Sequence, residues 1–109
     1  MYVAIRQYGL VTNEPVDKVF QGVREGFIPI NKNAPGFLAY YVLDSGGGTL
    51  TSVSIFEDRV GAERSNQLAE DWVGTTLPSV LPTSPEIIVG EVGAHELNLT
   101  KLGIGKILE

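Results

Sequence analysis

The chain has no cysteine and a single histidine among its 109 residues. Without cysteine there is no disulfide framework and no thiolate metal site. One histidine excludes a multi-histidine metal centre within one subunit. Basic residues are also scarce: eight Lys and Arg stand against thirteen Asp and Glu, for a net charge of −5, and they form no run. That balance argues against a nucleic-acid surface, which works by counterion release, and against a basic membrane patch. Apolar residues never run for the roughly 18 positions that a membrane-spanning helix needs. The opening stretch MYVAIRQYG alternates like a strand and lacks the charged-then-apolar pattern of a signal peptide. The expectation is a cytoplasmic protein with no bound metal or cofactor and no nucleic-acid or membrane partner.

Hydrophobic content of 43% and charged content of 19% suit a globular chain. The length suits one domain, expected over residues 1–96, with a C-terminal tail at 97–109. Such a chain buries about two-thirds of its unfolded surface, enough for a core without staples.

Tyr2 to Tyr8 reads as a strand with Val3 and Ile5 on one face and Ala4, Arg6 and Tyr8 on the other. Asn13 is placed to cap a helix. Val16, Val19, Phe20, Val23, Phe27 and Ile30 then recur at helical spacing, and Pro29 predicts a kink or an end near Phe27. Two runs rich in β-branched and aromatic residues follow, Gly36 to Asp44 and Thr49 to Phe56, joined through SGGG as a hairpin. Pairing Asp44 with Thr49 puts Phe37, Ala39, Tyr41 and Leu43 on one face with Ser52, Ser54 and Phe56.

Asp58 to about Leu77 is a second helix with Gly61, Ala62, Ser65, Leu68, Ala69, Trp72, Val73 and Thr76 inward. Pro78 and Pro82 end it, and Glu86 to Ala94 is a fourth strand. The order is strand, helix, strand, strand, helix, strand. That is an α+β, ferredoxin-like βαββαβ unit: a four-stranded antiparallel sheet with both helices on one face. Every strand carries apolar residues on both sides. One sheet face is therefore left bare, and the expected cover is a second copy packed sheet to sheet.

APGFLAYYV at the second strand, the hairpin into SVSIFED, and GAERSNQLAEDWV on the second helix carry a resemblance over Tyr2 to Glu96. The chain resembles the dimeric α/β-barrel superfamily, and within it the antibiotic-biosynthesis-monooxygenase-like domains. It looks most similar to members without a known activity. The resemblance implies a homodimer whose two sheets form a barrel. It also implies a cofactor-independent monooxygenase acting on a small aromatic compound, with a non-catalytic ligand-binding or dimerisation module as the alternative. Haem-degrading relatives place a His on the second helix; this chain has none there and carries Arg6 and Gln7 on its first strand.

Five residues stand as candidate ligand contacts: Arg6, Tyr41, Ser54, Asn66 and Trp72. No catalytic residue is assigned. Asn66 sits at the rim of the second helix's inner stripe. As a poor helix former it either bonds to water and a nearby loop or presents an amide to a ligand. Trp72 lies nearer the centre of the stripe and is either core packing or a flat wall for an aromatic ring. Arg6, if inward, needs a partner: an anionic ligand, or Glu91 or Glu57. Tyr41 and Ser54 share a face in the register given above. His95 reads as a surface residue. SGGG joins two strands and opens no helix, so it is not a phosphate loop.

Overall fold

The computed structural model describes residues 1–11, 15–78, 80–81 and 84–103. Asn13, the expected cap, lies outside them. Four strands, β1 (Tyr2–Gly9), β2 (Phe37–Gly46), β3 (Thr49–Phe56) and β4 (Glu86–Glu91), form one antiparallel sheet in the order β2-β3-β1-β4. Between β1 and β2 one continuous helical rod runs through α1 (Val16–Gly22), a π-helical turn (Val23–Phe27) and α2 (Ile28–Lys32). The long helix α3 (Arg59–Thr76) joins β3 to β4, and a single turn, α4 (Leu99–Leu102), lies in the C-terminal segment. This is the ferredoxin-like arrangement. Among the described residues no helix is long and apolar enough to cross a membrane.

The period-two alternation of β1 sorts its side chains as expected. Ala4, Arg6 and Tyr8 are buried under the helices, and Val3 and Ile5 point the other way. The β2–β3 register corrects the expectation by one residue. Asp44 pairs with Leu50, and Gly46 with Thr49. Gly47 and Gly48, at φ 60° and 78°, make the two-residue turn. A hairpin turn of that length needs positive φ at both positions, so glycine fills both. Bulges at both ends of the pairing, between Phe37 and Ala39 and between Asp44 and Gly46, absorb the difference. Tyr40 and Val42 therefore join Ser54 and Ser52 on the helix-covered face, and Tyr41 pairs with Val53 on the opposite one.

The first helical rod does not end at Pro29. A straight α-helix advances about 100° per residue, so every fourth residue drifts some 40° around the axis. Here Val19, Val23, Phe27 and Asn31 are all buried at intervals of four. The looser turn between Val23 and Phe27 takes up the drift and accommodates the proline just after it. Ile30, expected in the apolar stripe, is exposed, and Asn31 is fully buried in its place.

Helix α3 follows its predicted wheel, with Gly61, Ala62, Ser65 and Ala69 buried. The Asp58 carboxylate caps it by accepting the Gly61 backbone N–H at 2.8 Å. Thr76, expected inward, is exposed. The fourth strand stops at Glu91, short of Ala94. The sheet's far face carries a continuous apolar row across all four strands: Tyr41, Val53, Ile5 and Ile88. Tyr41 is 55% exposed and Ile88 63%.

Candidate functional site

The centre of the helix-covered face is polar. Arg6 is fully buried, flanked across the sheet by Ser52 and Ile87. Serines at 52 and 54 on β3 leave room that larger residues would fill, and the guanidinium occupies it. Its Nε donates to Ser52 Oγ (3.0 Å) and its Nη2 to Ser54 Oγ (2.7 Å). Its Nη1 donates to two groups on α3, Ser65 Oγ (3.1 Å) and Asn66 Oδ1 (2.9 Å). Ser65 passes its own proton to the Ala62 carbonyl (2.6 Å). The Phe27 ring lies 5.9 Å from the guanidinium carbon.

All four oxygens are neutral. Among the described residues the one ion pair is Arg59–Glu63, on the surface at 3.6 Å, so no carboxylate balances Arg6. Of the partners expected for it, Glu91 instead accepts the Tyr2 hydroxyl (2.6 Å) and Glu57 is exposed. Burial pulls the guanidinium below its usual value, against the phenols of Tyr8 and Tyr40 that face it. An arginine nonetheless keeps its charge at neutral pH. The molecule thus holds a buried cation satisfied in hydrogen bonds and unsatisfied in charge.

Two of its neighbours have orientation to spare. Arginine carries donors only, so Asn66 must turn its oxygen to Arg6 and its Nδ2 away. Asn31 donates Nδ2 to Ser54 Oγ (3.2 Å), which leaves its buried Oδ1 without a partner among the described residues. Burial also raises the two phenols, Tyr8 and Tyr40, the latter to about 12, so both are neutral donors at pH 7.

Two spaces adjoin this cluster. One is a narrow aromatic cavity of about 20 Å³, room for roughly one water, lined in part by Phe27, Tyr40 and Trp72. Trp72 tilts on Phe27 at 5.8 Å, and its indole nitrogen fills the place where a side chain on Gly26 would stand. The other is an open cleft of about 350 Å³ between α3 and the start of β4. Asn66, Glu63, Gln67 and Glu70 line its helix side, with Tyr8 and Ile87 across from them.

The structure brings Arg6, Ser54 and Asn66 into one hydrogen-bonded set. Trp72 stands nearby on the narrow aromatic cavity, and Tyr41 stands apart on the far face of the sheet. His95 is exposed. Ser52, Ser65, Asn31, Tyr8 and Tyr40 belong to the set or its surroundings without having been singled out as candidates. For Ser52 and Ser65 the signal is a small polar residue at a position whose periodicity is inward, and for Tyr8 the strand face it shares with Arg6; Asn31 and Tyr40 lie off the inward pattern. Among the described residues no group of three or more His, Cys, Asp or Glu stands close enough to hold a metal ion.

No protein-family model and no curated protein matches the sequence. Solved structures do match in fold. A monooxygenase from the ActVA-Orf6 gene of Streptomyces coelicolor, solved with nanaomycin D, is 18% identical with a TM-score of 0.65, covering 88% of this chain and 90% of its own. SnoaB, a cofactor-independent oxygenase of Streptomyces nogalater, is 13% identical with a TM-score of 0.64, covering 86% and 94%. NE2512 of Nitrosomonas europaea, of unknown function, is 16% identical with a TM-score of 0.68, covering 88% and 92%. A dimeric ferredoxin-like protein from an uncultured marine organism is 10% identical with a TM-score of 0.62, covering 89% and 98%. The fold is thus the ferredoxin-like fold that these proteins share.

Proposed function

We propose that the chain is a cofactor-independent oxygenase-type enzyme for a small acidic aromatic compound held in the cleft between α3 and β4. The observation that carries the reading is Arg6: a fully buried cation with no carboxylate paired to it among the described residues, whose hydrogen bond fixes the amide of Asn66. Asn66 lines the cleft, so an enolate or phenolate oxygen there receives Nδ2–H from an amide polarised by the guanidinium behind it.

The chemistry that follows needs no bound group. The ligand gives a C–H proton to a carboxylate of the cleft, for which Glu70 on the same wall is the candidate. The carbanion, its charge spread to the oxygen at Asn66, passes an electron to O₂, and the two radicals join as a peroxide. Protonation and loss of water leave a new carbonyl at that carbon. Two of the solved neighbours are a monooxygenase and a cofactor-independent oxygenase, which supports the reaction class.

The working form in this reading is a homodimer. The exposed row of Tyr41, Val53, Ile5 and Ile88 supports it, as does the dimeric neighbour. Of the alternatives without chemistry, a dimerisation module draws its support from the narrow aromatic cavity, with room for roughly one water, and a small-ligand-binding module from the cleft beside Asn66.

The test is oxygen uptake and product mass with enolisable aromatic ketones of two and three rings, 2-tetralone and anthrone, in the wild type and in Asn66→Asp. Aspartate keeps an oxygen for Arg6 but removes the donor to the ligand. The expected loss is roughly 10² to 10³ in turnover with a melting temperature at or above the wild type's. No product from either ketone, or equal turnover in Asn66→Asp, would sink the proposal.

A further inference from the structure

We propose that Tyr8 sets the depth of this site, so that a fused ring beyond the second adds little to a phenol's affinity; the inference rests on the reading of the cleft given above. Tyr8 is 5% exposed, yet it borders both the wide cleft and the narrow aromatic cavity. Two other residues do the same, Val73 of α3 and Leu81 beyond it. The residues common to both spaces are therefore three, from three parts of the chain: β1, α3 and the segment after it. Tyr8 packs with Leu50, Val19 and Leu81 and is the one aromatic member of this shared wall.

What lies on either side differs in kind. The cleft is open, with glutamates and amides on its helix side. The cavity behind the wall is a cage of rings: Phe27 meets Tyr40 edge-on at 5.3 Å and Trp72 at 5.8 Å. A phenol whose oxygen sits at Asn66 Nδ2 lays its rings against Tyr8, the one ring among the described residues lining the cleft. A further fused ring has two directions. It can project into the open mouth, where it buries little area and adds little affinity. Or it can press toward the aromatic cage, where Tyr8 already fills the way. Truncating the wall joins the two spaces and gives the added ring a buried aromatic seat.

The experiment measures dissociation constants for 2-naphthol and 2-anthrol, which differ by one ring, with the full chain under nitrogen. In the wild type the two should agree to within about threefold. In Tyr8→Ala the preference for 2-anthrol should rise by about tenfold, the scale on which hydrophobic pockets separate ligands of different size. Trp72 fluorescence, from the chain's single tryptophan, should be quenched more by 2-anthrol in that variant. Tyr8→Phe keeps the ring and should keep the wild-type ratio. Val73→Ala opens the same wall from the helix and should move the ratio in the same direction; it carries the test if Tyr8→Ala does not fold. A wild type that binds 2-naphthol while folded Tyr8→Ala or Val73→Ala leaves the ratio unmoved overturns the inference and leaves the function standing. Failure of every variant to bind either phenol overturns both.

Discussion

Replacing Gly61 with alanine and, separately, Gly74 with alanine makes the same chemical change twice on α3, and the two should have opposite signs. A Cβ on Gly61 would stand 2.7 Å from Phe56 Cδ1 and 3.1 Å from its Cβ and Cγ. Phe56 is fully buried and held edge-on against Phe37 at 5.8 Å, so its ring has little freedom to yield. The contact must open from 2.7 Å to at least 3.4 Å, and overpacking of this kind costs about 1–3 kcal/mol. Loss of glycine from a helix returns up to about 1 kcal/mol. With the middle of that overpacking range the net is a destabilisation of about 1 kcal/mol, or a fall of roughly 4–8 °C in melting temperature for a domain of this size. At Gly74 an added Cβ meets nothing within 4 Å, so only the helical gain remains, and the melting temperature should rise by a few degrees. The site should register the difference. If α3 lifts from the sheet, the bonds from Arg6 to Ser65 (3.1 Å) and Asn66 (2.9 Å) stretch toward the limit of hydrogen bonding, and phenol affinity falls in Gly61→Ala alone. Thermal denaturation followed by circular dichroism settles the sign. A Gly61→Ala protein as stable as the wild type, or two variants shifted in the same direction, would refute the close-approach argument.

Two further outcomes are expected. The folded protein holds the Tyr40 proton to about pH 12 against an ordinary value of 10.0, so stability is at full value below pH 10 and falls as pH rises toward 12. The slope is about 1.4 kcal/mol per pH unit; Tyr40→Phe should flatten it in urea titrations between pH 9 and 11, and an unchanged slope would show that the phenol is not shielded. Tyr41→Asp combined with Ile88→Asp should leave one copy folded and halve the mass seen by sedimentation, because both side chains are largely exposed in a single copy. A wild type that sediments as one copy defeats that expectation.

The fold was legible in the sequence because its periods were clean. Ala4, Arg6 and Tyr8 alternate against Val3 and Ile5, and the α3 wheel places Ser65 and Ala69 inward. What escaped the pattern came from single-residue insertions, which periodicity cannot register. The bulges in β2 shift its pairing, so Tyr40 replaces Tyr41 on the covered face. The π turn hides Asn31, which the apolar stripe passed over in favour of Ile30. Arg6, Ser54 and Asn66 were each identifiable as polar groups near the core. Their union around one guanidinium was not, because it joins β1, β3 and α3, and no local spacing encodes a distance between elements.

The looser turn at Val23–Phe27 also determines which changes the first helical rod can absorb. Side chains along it can be exchanged for others of like volume, each at a local cost. Chain length there cannot change so freely. Losing one residue between Val23 and Phe27 would only close the turn to an ordinary α turn, but gaining one would rotate everything after it by about 100°. Asn31 would swing away from Ser54, and a neighbour such as Ile30 or Lys32 would turn toward the buried arginine. In this stretch the residue count, more than composition, keeps the polar centre assembled. Related chains that retain the centre should vary there by substitution and not by insertion.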